Sequence, residues 1–129
     1  LKNNFYEFEN YLICGTRGWI CPGDTRYTDH DKKIYLREVG RLKLSLESAV
    51  NSSKFNDNII LMMHFPPTND KHDRSEFIEL IEKYNIKRVV YGHLHGKKKY
   101  DNSLIGNKNN VEYSLVSADY LGFTPIKIL

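Results

Sequence analysis

The sequence predicts one α/β domain, a mixed β-sheet with flanking helices, and three observations carry that expectation. First, the continuously apolar run Ile59 to Met63 is followed by an amphipathic segment and then by the β-branched run Ile86 to Tyr91. Strand, helix and strand at this spacing make a βαβ unit with adjacent parallel strands. Second, from Asp31 to Asn51 apolar residues recur at Tyr35, Val39, Leu42, Leu46 and Ala49/Val50, which draws one stripe along a helix. Third, the 129 residues fit a single core, so 1–129 is read as one domain.

Phe5 to Phe8 and Tyr11 to Cys14 are short aromatic and β-branched runs parted by Glu9 and Asn10, the pattern of a hairpin. Gly15 to Asp24 holds three glycines and a proline, which predicts a long loop. Thr28 or Asp29 is placed to cap the helix over 31–51. The run that opens after Asn58, Ile59 to Met63, is apolar throughout, as in a central strand covered on both faces. It stops at His64, Phe65, Pro66 and Pro67, where the prolines remove ladder donors and turn the chain. Ser75 to Tyr84 puts Phe77, Ile78, Ile81 and Tyr84 on one helical face, and after the Ile86–Tyr91 strand comes Gly92, His93, Leu94, His95 and Gly96. Val111 to Ser117 and Pro125 to Ile128 read as closing strands joined by a turn at Gly122.

Composition excludes several classes. The net charge of +3 is spread evenly along the chain, which argues against a nucleic-acid binder. Apolar residues make up 40% of the chain, enough for a core, and no apolar run approaches the roughly 20 residues of a membrane span. The opening residues have neither a basic nor a long apolar region of the kind that directs export. Cys14 and Cys21 are therefore read as reduced thiols in a cytoplasmic protein.

His64, His93 and His95 each follow the C-terminal end of an expected parallel strand, the end at which open α/β sheets bind ligands. In an extended stretch residues i and i+2 point the same way, so His93 and His95 project together, with Gly92 and Gly96 letting the backbone bend. Three neutral imidazoles suit Zn, Fe, Mn, Co or Ni. A single loop histidine is usually only solvated; the joint placement of three turns the reading toward metal. His30 and His72, in charged loop or helix-entry sequence, read as solvated.

The segments Leu61 to Pro67 and Val90 to Gly96 resemble the calcineurin-like metallophosphoesterases, and the loop Cys14 to Trp19 looks like one bacterial branch of that family. The resemblance implies a layered β-sandwich of which this chain is one half, the C-terminal portion of the family domain. The family's Asp-x-His, Gly-Asp-x-x-Asp and Gly-Asn-His-Asp/Glu motifs are missing. Gly23 and Asp24 are followed by Tyr27 where the second Asp belongs, and Gly106 and Asn107 by Lys108. By the same resemblance, His64 and His93 bind one divalent ion and His95 completes a second, two ions roughly 3.5–4 Å apart serving phosphoester hydrolysis. That implies a full-length parent enzyme with two divalent ions (Mn, Fe, Zn, Co or Ni), a small-molecule or phosphoprotein phosphoester as substrate, and the N-terminal half of the domain as partner. The chain alone is expected to be catalytically silent and to hold one ion or none.

Arg17 and Trp19 are the candidate substrate contacts, one forking onto a phosphate and the other stacking on a ring; a structural arginine and a buried indole are the plain alternative. Lys97 to Lys99 read first as a solvated turn and second as a source of positive potential. Two other classes stay open. One is a non-catalytic assembly module that pairs through an exposed sheet with a second copy or with the absent half. The other is a nucleotide or nucleic-acid binder using Trp19, Tyr91, Tyr100 and the lysine run.

Overall fold

The structure, a computed structural model, describes residues 5–24, 26–52, 58–69, 71–93 and 104–116. Phe5–Phe8 (β1) and Tyr11–Thr16 (β2) pair antiparallel across a two-residue turn in which Glu9 takes a φ of 53°. Asp29–Ser52 forms helix α1. Thr28 starts it: its hydroxyl accepts from the Asp31 amide at 3.3 Å, while the Asp31 carboxylate accepts from the Thr28 amide at 2.9 Å. Two orphan donors of the first turn are thereby satisfied reciprocally. Ile59–Met63 (β3) leads through the proline turn to Glu76–Lys83 (α2), whose cap Ser75 accepts from the Ile78 amide and donates to the Pro67 carbonyl. Arg88–Tyr91 (β4), Gly106–Lys108 (β5) and Val111–Leu115 (β6) complete the described elements.

The six strands lie in the order β1-β2-β3-β4-β6-β5. β2, β3, β4 and β6 run parallel to one another, with β1 and β5 antiparallel at the edges. This is the expected mixed sheet, with β3 and β4 parallel and adjacent. The register aligns Leu12 with Ile59, Cys14 with Leu61 and Val89, Met63 with Tyr91, and Tyr91 with Leu115. Since side chains alternate across a strand, these residues share one face. All are buried, in one core with Tyr35, Leu42, Leu46 and Ala49 of α1 and Phe77, Ile78, Leu80 and Ile81 of α2. Tyr35 and Phe77 meet edge to face at 5.3 Å, joining the helices, and the Tyr35 hydroxyl accepts from the Glu76 amide at 2.7 Å.

The second face differs from expectation. Ile60 and Val90 are buried there, but Met62 is 45% exposed and Tyr6 and Phe8 are 59% and 45% exposed. An apolar run shows that a strand avoids polar residues; it does not show that both faces are covered. Three further corrections concern boundaries. β2 continues through Gly15 and Thr16, which pair with Met62 and Met63, so the loop starts at Arg17 rather than Gly15. β5 was not anticipated, because Gly106–Lys108 is short and polar. The strand over Val111 ends at Leu115; Ser117, the Gly122 turn and the strand over 125–128 lie outside the described residues.

Candidate functional site

Parallel pairing brings three strand ends level: Thr16 is opposite Met63, and Met63 is opposite Tyr91. The residues that follow, Arg17, His64 and Gly92, therefore emerge side by side at the C-terminal edge of the sheet, where ligands bind in this architecture. Backbone hydrogen bonds carry the register past the ladder. The Phe65 amide donates to the Arg17 carbonyl at 3.0 Å, and the Gly92 amide to the His64 carbonyl at 3.1 Å.

His64 Nε2 and His93 Nδ1 stand 3.2 Å apart. Two nitrogens each about 2.1 Å from one ion, at tetrahedral or octahedral angles, are about 3.0–3.4 Å apart. The contact is a hydrogen bond between the two rings, and its length also falls within the spacing of two ligands on one ion. His93 holds φ at 70°, a left-handed conformation that costs a residue with a Cβ about 1–2 kcal/mol and that recurs at functional sites. The extended conformation expected at His93 is thereby corrected: the positive φ falls on His93, not on Gly92, so strand alternation does not set where His93 points. Among the described residues no group of three His, Cys, Asp or Glu converges on one point. His95, like Lys97 to Lys99 and Tyr100, lies outside them.

Phe65 forms the floor between the histidines and the Arg17 loop. Its ring lies 4.2 Å from that of His93, 5.1 Å from that of His64 and 5.0 Å from Trp19. Gly18, with φ at 70°, is pressed so closely on this floor that a Cβ would meet Met63 Cε at 2.9 Å and Phe65 Cβ at 3.3 Å. Trp19 donates its indole N–H to Asp31 at 2.9 Å. That bond, with those from Thr28, holds the Asp31 carboxyl below the ordinary carboxylate range. The Arg17 guanidinium lies 4.8 Å over the indole ring.

Sequence reasoning missed Glu38. Its carboxylate is fully buried, accepts from Thr16 Oγ1 at 3.3 Å and Arg41 at 2.8 Å, and lies 3.6 Å from Arg17 Nη2 and 3.8 Å from Arg37 Nε. The signal was present: position 38 sits on the same helical stripe as Tyr35, Leu42 and Leu46, where a charged residue needs a partner.

Other positions fall as follows. Cys14 and Cys21 are free, as read from the sequence, and the structure buries both. Burial raises both thiols, Cys21 to about 12. His30 is exposed in the first turn of α1, while His72 is half-buried with φ at 58°, which corrects its reading as simply solvated. Tyr91 is fully buried and its hydroxyl donates to the Leu104 carbonyl at 2.6 Å. A ring so enclosed is not a stacking platform, which removes Tyr91 from the nucleic-acid reading.

A family model described as calcineurin-like phosphoesterase matches residues 2–97, a span that takes in β1 to β4, both helices and the His64 and His93 loops. No curated protein and no solved structure matches the chain.

Proposed function

The chain belongs to the calcineurin-like phosphoesterase family, and from that premise we propose that it supplies the histidine part of a metal centre for phosphoester hydrolysis. The 3.2 Å approach of His64 Nε2 to His93 Nδ1 at adjacent strand ends carries this reading. A divalent ion held by His64 and His93 would lower the pKa of a coordinated water and offset phosphoryl charge. The protein's part is to hold the two imidazoles at chelating distance on rigid strand ends and to keep Phe65 against them, so that ring orientation survives without a full ligand set. The family resemblance adds His95 to this proposal as a ligand of a second ion. Arg17 is the substrate-phosphate contact of this proposal, with Trp19 fixing it from below.

Imidazoles alone bring no negative charge, and the carboxylate and Asn motifs of the family do not occur in these 129 residues. Hydrolysis therefore needs ligands from another segment, and the 129 residues by themselves are expected to be silent. Assays with p-nitrophenyl phosphate and Mn, Co, Ni or Zn test this on the chain and on any longer natural form that contains it. Turnover is expected only in the longer form, and it should fall at least about a hundredfold when His64 or His93 is replaced by Ala, since metal ligands supply several kcal/mol. Sustained turnover by the 129 residues, or activity in the longer form indifferent to both histidines, would overturn the reading.

A second reading, assembly through the sheet, rests on the exposed Tyr6, Phe8 and Met62. Apolar surface of this kind seldom stays bare. Sedimentation should then show dimers that Met62→Lys dissociates; a monomer at every concentration, with no dye-binding surface, would count against it.

A further inference from the structure

We propose that Arg17, Arg37 and Arg41, gathered on the buried carboxylate of Glu38, form an anion subsite beside the histidine pair, one that takes a second phosphoryl group of the substrate. Three guanidiniums stand within 4.0 Å of this one carboxylate, at 3.6, 3.8 and 2.8 Å. Among the described residues Glu38 is the carboxylate that each of them meets, so the cluster carries an excess of positive charge. One arginine would suffice to neutralise Glu38.

The bonding is uneven in a way that matters. Arg41 Nη1 makes a true hydrogen bond to Glu38 at 2.8 Å. Arg17 and Arg37, at 3.6 and 3.8 Å, lie beyond hydrogen-bond range and attract the carboxylate only as charges. Their fork of N–H donors is thus not consumed by Glu38. The three side chains are 38%, 54% and 31% exposed, so an anion from solvent can reach them.

Position and rigidity point the same way. Arg17 follows β2 level with His64, its carbonyl accepting from the Phe65 amide at 3.0 Å. Adjacent strands are about 4.8 Å apart, so the Arg17 loop borders the histidine loop directly. The guanidinium is held by Trp19 at 4.8 Å, and Trp19 by Asp31 at 2.9 Å. Asp31, the carboxylate that Trp19 meets, is engaged by Trp19 Nε1 and by the amide and hydroxyl of Thr28. Arg37 and Arg41 are one helical turn apart on either side of Glu38. A fully buried carboxylate is poor value for stability alone. Its use here is to hold several guanidiniums in one place, and planar guanidiniums pair bidentately with phosphate oxygens.

The substrate class, a phosphoester bearing a second phosphoryl group, rests on the phosphoesterase reading; the subsite does not. The test is therefore run without metal. Inorganic phosphate is titrated into the chain in EDTA at low salt, followed by calorimetry and by phosphorus line width. Wild type is compared with Arg37→Gln, Arg17→Gln, a control Lys43→Gln on the same helix, and His64→Ala/His93→Ala, with circular dichroism confirming each fold. Saturable binding is expected, weakened at least about tenfold in Arg37→Gln and in Arg17→Gln, the loss of one charge-assisted hydrogen bond. The lysine control and the histidine double variant should stay within twofold. No saturable binding, unchanged affinity in both arginine variants, or an equal loss in Lys43→Gln would overturn the proposal. The metal reading stands or falls separately, on metal binding by the histidines.

Discussion

Replacing Glu38 by Ala separates a structural from an incidental role for the buried carboxylate. The substitution removes a fully buried side chain, the 2.8 Å bond from Arg41 and the 3.3 Å bond from Thr16. A hydrogen bond to a charged group contributes about 1.5–3 kcal/mol and one from a hydroxyl about 1 kcal/mol. Breaking a fully buried ion pair costs about 3–5 kcal/mol because the surviving charge stays buried. Here the surviving guanidiniums are 31–54% exposed and turn toward water, so the upper figure does not apply. Relief of the carboxylate's own desolvation reduces the cost further. The expected loss is about 2–3 kcal/mol, which for a domain of this size lowers Tm by about 8–12 °C. Urea and thermal unfolding followed by circular dichroism measure it directly. A change below about 0.5 kcal/mol, the range of an ordinary surface substitution, would refute the placement of Glu38 as the anchor of the Arg17 loop.

Two further outcomes follow from the titrating groups. The Asp31 carboxyl is lowered mainly by the Trp19 bond, so its stabilisation is fully present above the ordinary Asp pKa of about 3.9 and is lost as pH falls through the lower native value. The chain has one tryptophan, and its fluorescence should change in that acid window in wild type and be largely insensitive to pH there in Asp31→Asn; identical profiles would exclude the link. Cys14 and Cys21 are buried with raised pKa values, Cys21 to about 12, so both remain thiols at neutral pH. Iodoacetamide should modify neither until the chain unfolds, and rapid labelling under native conditions would contradict their burial.

The β3–α2–β4 unit was legible because each element announces itself locally. The Ile59–Met63 run and the Val89–Tyr91 end of the next strand are apolar, Pro66 and Pro67 stop the first, and Ser75 caps the helix between. Thr28 was legible as a cap for the same reason. The hairpin of β5 and β6 carried a weaker signal, Asn109 and Asn110 at φ of 52° and 67°, a left-handed pair that suits a two-residue turn. Its flanking strand Gly106–Lys108 has no apolar pattern to support it.

The site was legible as strand ends, not as conformation. Parallel pairing puts His64 and His93 together whatever their side chains do, and that much follows from topology. That His93 is left-handed, and that Glu38 draws Arg37, Arg41 and Arg17 onto one point, depends on packing between α1 and the β2 end. Periodicity had assigned that stripe to Val39, one residue away. The open face at Met62 was hidden for a related reason: hydrophobicity reports a preference for burial and is silent about what covers a strand.

The most direct measurement is a Zn(II) or Co(II) titration of the chain at about pH 7.5, repeated at about pH 5.5, for wild type, His64→Ala and the His64→Ala/His93→Ala double variant. Protons compete with metal at imidazole nitrogens, so affinity should be lower at the acid pH. The histidine pair predicts one saturable ion at neutral pH, at least tenfold weaker after loss of either ligand and absent in the double variant. Equal affinity in wild type and the double variant would contradict a metal centre at His64 and His93.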